Sequence, residues 1–384
     1  MKQISVMIKP ASSLCNMRCR YCFYADVSSL REEPSFGIMD SCALTRIIDN
    51  IFVDLDAGDT LTLAFQGGEP TLAGLDYFRL AVDAVAHQNR PEVQVEYALQ
   101  TNGLLLDETW CSFLRRNHFL VGLSIDGPQA LHDENRVDVA GKGTFRRVLQ
   151  SKRRLEWAGV DYNVLMVLTR RLARHPQQIW HLIQQENLRY VQFIPCLAPL
   201  DGTEQSYALT PRRYAEFYCS LFDLWFDAFC QGDYFSVKLF DDLVHLLAFG
   251  QCNACGLLGR CQPQIVVEAD GSAYPCDFFV LDQHRLGNLA ETPLHALYES
   301  EAMVRFLNRP VGRNPLCSDC PYWNICGGGC PRMRREAFCA PDADYCGHKT
   351  FLDYSAERLD RIANQYRKVT DPADISTSYT GSMR

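Results

Sequence analysis

The chain has 384 residues, 47% of them apolar and 22% charged, and its 38 lysines and arginines face 46 aspartates and glutamates, for a net charge of −8. That composition supplies a full core for a large domain or several packed units, and the acidic balance excludes a nucleic-acid-binding surface. No apolar run approaches the roughly eighteen residues of a membrane span, and the opening "MKQISVMIKP" is too short and too polar for a signal peptide, so a cytoplasmic protein with no membrane partner is expected.

Along the chain, "SVMI" at 5–8 reads as a first strand, leading through "KPASSL" into Cys15, Cys19 and Cys22. Further β-rich runs follow: "LTLAF" at 61–65, "VQVEYAL" at 93–99, "VGLSI" at 121–125, "YNVLMVL" at 162–168 and "RYVQFI" at 189–194. Between them lie helical periods such as "DYFRLAVDAVAHQ" and "TFRRVLQSKRRLEWAG", the second carrying Lys152-Arg153-Arg154, which reads as a solvated face. The last helix of the series is capped by Thr210, has Pro211 at its first position and Gly232 beyond its end, and places Cys219 and Cys230 as core thiols. Six βα units with near-continuous apolar strands predict an α/β fold, a partial (β/α)6 parallel barrel over residues 1–235.

Chemistry in parallel barrels sits at the C-terminal ends of the strands. Polar and glycine-rich motifs do follow the strands here: the cysteine triplet, "QGGEP" from Gln66, "QTNG" from Gln100, "SIDGP" from Ser124 and "PCLAPL" from Pro195. Residues 236–346 change character, with weaker periodicity and crowded cysteines, and form a second, cysteine-rich domain. In residues 347–384 a helical pattern runs to 367, followed by a loose tail from Thr370.

Eighteen cysteines in a reducing compartment point to metal rather than disulfides. The C-x3-C-x2-C spacing of Cys15, Cys19 and Cys22 fills three corners of a four-iron cubane and leaves one iron open; the alternative is a zinc site completed by a distant cysteine or histidine. The second field holds Cys261 and Cys276 in C-x9-G-x4-C, then Cys317, Cys320, Cys326 and Cys330 in C-x2-C-x5-C-x3-C. Two closed cubanes need eight thiolates. These six would be completed by Cys252 or Cys255 and by Cys339 or Cys346.

The triplet after strand one, with aromatic Tyr21 as its last spacer and "GGEP" downstream, resembles the radical S-adenosylmethionine enzymes. The resemblance implies that the amine and carboxylate of S-adenosylmethionine occupy the open iron. It further implies cofactor contacts from Gly67, Gly68 and Glu69, from Ser124, from Arg136 as the carboxylate fork, and from Leu197 against the adenine. For Arg136 the competing reading is a surface ion pair with Asp133 or Asp138. The second field resembles the SPASM extension of peptide-modifying members, which implies one cluster on Cys255, Cys261, Cys276 and Cys330 and another on Cys317, Cys320, Cys326 and Cys346. The cofactors implied are thus three [4Fe-4S] clusters and S-adenosyl-L-methionine.

Over nearly the whole chain "IKPASS", "CFY", "QGGEPTLAG", "LQTNG", "SIDGP" and "YPCDFF" are similar to the anaerobic sulfatase-maturating enzymes. That family oxidises a cysteine or serine of a sulfatase, within C/S-x-P/A-x-R, to Cα-formylglycine. The resemblance implies a protein substrate, a donor such as flavodoxin or ferredoxin, Asp277 as the catalytic base beside ligand Cys276, and Tyr24 at the substrate cavity or in the core. Two other readings stand beside it. One is a thioether- or cyclophane-forming peptide modifier, disfavoured because residue 15 leaves no room for a leader-binding domain. The other is a non-enzymatic iron–sulfur or zinc scaffold.

Overall fold

The six β-rich runs become β1 (Gln3–Ile8), β2 (Thr60–Phe65), β3 (Gln94–Thr101), β4 (Phe119–Ser124), β5 (Tyr162–Leu168) and β6 (Tyr190–Pro195), each within two residues of its expected bounds. Their apolar residues are mostly β-branched or aromatic, which suits strands, and in most of them fully buried residues alternate with half-buried ones. The structure, a computed structural model, describes residues 1–88, 92–252, 254–339 and 344–370; the expected loose tail lies outside them from residue 371 onward. The chain divides into two compact units, one built from residues 1–172, 196–208 and 262–312, the other from 173–195, 209–261 and 313–384.

In the first unit β1 to β5 form a parallel sheet in the order β1-β2-β3-β4-β5, with Val6 opposite Leu63 and Phe65 opposite Leu99. Helices return the chain between strands. Ser41–Phe52 is capped by Asp40, which accepts from the Cys42 N–H at 2.6 Å, and it buries Leu44, Ile47, Ile48 and Ile51. Phe78, from the helix Leu75–Gln88, packs on Phe65 and Trp110 with ring centroids 4.9 and 5.1 Å apart.

The other edge of β1 holds a strand from the cysteine-rich region. β7 (Ile265–Val267) pairs with β1 in parallel, Val6 opposite Ile265, and β8 (Ser272–Tyr274) and β9 (Gly287–Asn288) extend the sheet antiparallel. This register carries Cys276 and Asp277, just beyond β8, into the unit that holds the cysteine triplet.

In the second unit β6 pairs with Ser236–Val237, and three helices, Pro211–Cys230, Lys238–Phe249 and Gly347–Thr370, bury an aromatic core. Phe240 lies 5.2 Å from Phe222 and 5.7 Å from Phe351. Thr210 accepts from the Arg213 N–H and Pro211 opens the helix, as the sequence indicates.

Two expectations fail on these helices. Cys230 is exposed rather than a core thiol, because it falls in the last turn and away from the buried stripe; Cys219 is half-buried. Lys152 is 4% exposed, so the basic run is not a solvated face throughout. Its stem lies on the buried side of its helix, and its ammonium reaches Glu156 at 3.0 Å, one turn on.

Candidate active site

β1 ends at Ile8, and the loop after it makes the site. Ser12 takes a left-handed conformation, with φ of 47°, and Leu14 N–H closes a turn on the Ala11 carbonyl at 2.9 Å. The loop is clamped from the β2 side, where Gly68 N–H donates to Ser12 O and Glu69 N–H to Leu14 O, both at 2.8 Å. A Cβ on Gly68 would lie 2.0 Å from the Leu14 carbonyl oxygen, so only glycine permits this approach. On its far side the loop is held by a ribbon in which Met17–Cys19 pairs antiparallel with Arg136–Asp138.

Cys15 and Cys19 are half-buried; Cys22 is exposed as a residue, yet its sulfur sits deep enough for burial to raise its pKa. Burial likewise pushes the Cys15 thiol up to about 11 and the Cys19 thiol up to about 12. Such thiols give up their protons only when a metal takes the proton's place. N–H groups already face the sulfurs: Met17 N–H at 3.4 Å and Asn102 Nδ2 at 3.9 Å from Cys15, and Arg136 Nη1 at 3.9 Å from Cys19. Donors of this kind orient and tune cluster thiolates, so the triplet fits the expected group. Among the described residues no three His, Cys, Asp or Glu side chains close on one ion. A cubane asks for a wider ring, since each thiolate meets a different iron.

Of the expected cofactor-binding residues, Tyr21 lies in this loop, and Gly67, Gly68, Glu69 and Arg136 touch it. Tyr21 is buried and its hydroxyl donates to Asp126 Oδ2. Arg136 is also buried and donates through Nε to the same oxygen at 2.8 Å, so its partner is neither Asp133 nor Asp138. Burial is the largest single influence and opposes the Arg136 charge, but the Asp126 carboxylate together with Cys19 and Cys22 raises the guanidinium's pKa overall. Ser124 Oγ accepts from Gln100 Nε2 at 3.1 Å, and Leu197 is half-buried just past β6. Glu69 is 1% exposed, and its carboxylate accepts from Thr71 N–H, Thr71 Oγ1, Thr101 Oγ1 and Asn102 N–H. The side chain is therefore a brace tying the loops after β2 and β3 together.

Asp126 lies inside the quoted "SIDGP", but the sequence assigned it no role of its own. The carboxylate also accepts from Val167 N–H at 2.9 Å, and the Asp126 N–H donates to His132 Nδ1 at 3.1 Å. The His132 proton is thereby assigned to Nε2, which faces Thr144 Oγ1 at 3.1 Å; that hydroxyl donates to the Arg136 carbonyl at 2.9 Å. Burial holds the imidazole down to about 3, keeping it neutral.

Asp277 stands in the same unit, half-buried, accepting from Gln66 Nε2 at 2.9 Å and lying 2.5 Å from Lys9 Nζ. Tyr24 is 3% exposed and packs among Val27, Val266, Tyr274 and Val280, which makes it a core residue with one ring face towards Lys9. Neither Lys9 nor Gln66 stood out in the sequence, although both lie in quoted motifs.

The second unit holds the cysteines of the second field apart from Cys276. Cys330 feels the charges of Cys255 and Cys261, and a Cβ on Gly256 would meet the Cys330 Cβ at 2.6 Å, so this loop closes tightly on its cysteine. Cys252 instead lies among Asp242, Lys238 and the aromatic residues of another pocket. Cys276, expected with the first three, belongs to the first unit. A separate cavity is lined by Cys317, Cys320, Cys326, Cys339 and Cys346. Cys339 and Cys346 face each other as an isolated antiparallel bridge, and the hydrogen bond from the Cys339 thiol lowers the Cys346 pKa while raising its own.

A family model of the radical SAM superfamily matches residues 10–176, and one of an iron–sulfur cluster-binding domain, SPASM, matches residues 249–321. A cysteine-type anaerobic sulfatase-maturating enzyme of Clostridium novyi (strain NT) is 38% identical over 368 residues, 94% of this chain and 98% of that protein. The chain belongs to the anaerobic sulfatase-maturating enzymes. A serine-type anaerobic sulfatase-maturating enzyme of Bacteroides thetaiotaomicron is 29% identical, over 97% of this chain and 94% of that one. The solved structure of native anSMEcpe with bound AdoMet and Kp18Cys peptide matches with a TM-score of 0.87 at 37% identity, covering 94% of this chain and 99% of that one. As a sulfatase-maturating enzyme the chain is a radical S-adenosylmethionine oxidoreductase that uses [4Fe-4S] clusters, with the α/β partial barrel, SPASM region and C-terminal helix expected from its sequence.

Proposed function

We propose that this enzyme is of the cysteine type: it oxidises a sulfatase cysteine within C-x-P/A-x-R to Cα-formylglycine, with Asp277 taking the thiol proton. The observation that carries this reading is the half-buried Asp277 carboxylate, oriented by Gln66 and sharing a unit with the cysteine triplet. The cysteine preference is supported by identity, 38% to a cysteine-type enzyme against 29% to a serine-type one.

Cys15, Cys19 and Cys22 would hold the first cluster. Cys255, Cys261 and Cys330 would contribute to the second, and Cys317, Cys320, Cys326 and Cys346 would hold the third. When bound, the first cluster and S-adenosylmethionine supply a 5′-deoxyadenosyl radical for hydrogen abstraction at the substrate Cβ, and the others supply an acceptor for the second electron. Tyr21 and Arg136, locked on Asp126, keep the cluster loop rigid. The Glu69 brace fixes the neighbouring loops against which a methionyl group would lie. Rigid positioning of this kind converts a bimolecular hydrogen abstraction into an effectively unimolecular one. Asp277 would accept the thiol proton as the substrate Cβ–S group, having given up one hydrogen atom and one electron, becomes a thioaldehyde, which water hydrolyses to the aldehyde with release of hydrogen sulfide. A one-electron carrier such as flavodoxin or ferredoxin would deliver electrons, and cysteine-rich chemistry of this kind belongs in the reducing cytoplasm.

The test is anaerobic incubation of the loaded enzyme with paired peptides that differ only in cysteine or serine at the target, read by mass spectrometry. Faster formylglycine formation from cysteine is expected. Preference for serine would overturn the subtype, and modification of neither peptide would overturn the substrate class.

A further inference from the structure

Lys9 follows directly on β1 and its side chain is completely buried. Burying an ammonium is costly unless an anion and hydrogen bonds compensate it. Two carboxylates lie in the region. Glu268 is already engaged, accepting from Arg31 Nη1 at 2.9 Å and from Ser12 Oγ at 2.8 Å. That leaves Asp277 as the anion in contact with Lys9, with Oδ1 2.5 Å from Nζ. The contact is an ion pair by distance but is not aligned as a hydrogen bond, and Nζ has no hydrogen-bond acceptor among the described residues. The rest of its surroundings is the Tyr24 ring, whose centroid is 4.0 Å from Nζ.

The lysine is also fixed along its length. Its backbone N–H donates to the Val267 carbonyl at 2.8 Å, continuing the β1–β7 pairing. Gly67 lies so close that a Cβ there would meet the Lys9 Cβ at 3.1 Å and Cγ at 3.2 Å. A clamped stem, a buried head and one anion in reach make a rigid cation, whereas an ordinary lysine keeps most of its rotamer freedom.

We propose that Lys9 is the positioning residue for Asp277. The Lys9 charge holds Oδ1 and Gln66 donates to Oδ2, which disfavours rotation of the carboxylate and keeps its remaining lone pairs in one direction, towards the substrate thiol. The proposal rests on Asp277 being the base. It predicts that Lys9 governs how often a hydrogen abstraction ends in product, rather than whether abstraction occurs.

Lys9→Met keeps the stem and removes the charge. In the anaerobically loaded enzyme its iron content should match wild type, the peptide KM should stay within about twofold, and formylglycine formed per 5′-deoxyadenosine should fall at least tenfold. Lys9→Arg, which restores a cation, should recover that ratio at least threefold over Lys9→Met. A wild-type ratio in Lys9→Met overturns the proposal, as does parallel loss of iron and both products, which marks a purely structural residue. No recovery in a fully loaded Lys9→Arg enzyme also overturns it. Asp277→Asn in the same assay separates the two readings. If that variant keeps full coupling, the base assignment itself falls; if it loses coupling while Lys9→Met does not, only the role of Lys9 falls.

Discussion

A methyl group added at Gly68 would stand 2.0 Å from the Leu14 carbonyl oxygen, 2.7 Å from the Leu14 carbonyl carbon and 2.8 Å from that of Ser13. All three are backbone atoms, so no side chain can swing away, and Cys15 is the next residue. Ordinary contact begins at 3.4 Å, which obliges the two loops to part by 1.4 Å. Adding that to the 2.8 Å bonds Gly68 N–H to Ser12 O and Glu69 N–H to Leu14 O takes both beyond hydrogen-bonding range. Each lost bond costs about 1 kcal/mol and overpacking a further 1–3 kcal/mol, so Gly68→Ala should destabilise the first unit by about 3–5 kcal/mol. At about 2–4 °C per kcal/mol for a unit of this size, a fall in Tm of roughly 6–20 °C follows. The same movement displaces Cys15 from its partners. Anaerobic reconstitution with iron counting should therefore find about eight irons rather than about twelve, at about four per cubane, with no 5′-deoxyadenosine formed. A Gly68→Ala enzyme with wild-type Tm and full iron would refute the claim that this glycine exists to let the two loops touch.

The fifth thiol of the second-unit cavity gives a second prediction: Cys346→Ala should lose one cubane, about four irons, while Cys339→Ala keeps the full complement; the reverse pattern would make Cys339 the ligand. A third concerns acid. His132 has its pKa lowered from 6.5 to about 3 by burial, so the folded state binds fewer protons than the unfolded chain between those values. The stability this gives is fully present above pH 6.5 and is lost as pH falls towards 3, at up to about 1.4 kcal/mol per pH unit. Anaerobic denaturant titrations at pH 7.5 and 5.5 should show a smaller pH dependence for His132→Gln than for wild type, and equal dependence would contradict the assignment.

What the sequence disclosed and what it hid divide by distance along the chain. The strands and the Thr210–Pro211 helix start were legible because apolar run, cap and proline are local signals. The cysteine spacings were legible for the same reason. The ribbon joining Met17–Cys19 to Arg136–Asp138 was not, since three-residue strands carry no period and their pairing spans more than a hundred residues. Nor was the parallel joining of Ile265–Val267 to β1, which makes Lys9 and Asp277 neighbours. Arg136 was singled out, but its partner Asp126 was not, because ion pairing depends on where two loops end. Lys152 and Cys230 fell on the wrong side of the surface because a helix face is set by what packs on it, and a short basic run or a terminal cysteine does not reveal that.

The central claim is that this chain abstracts a hydrogen from the Cβ of a sulfatase cysteine and carries the oxidation through to the aldehyde. Its most direct test is a target peptide deuterated at that Cβ, incubated anaerobically with loaded enzyme and S-adenosylmethionine, with both products analysed by mass spectrometry. Deuterium should appear in 5′-deoxyadenosine in step with formylglycine. Formylglycine without deuterium transfer, or deuterated 5′-deoxyadenosine with the peptide carrying a crosslink instead of an aldehyde, would contradict it.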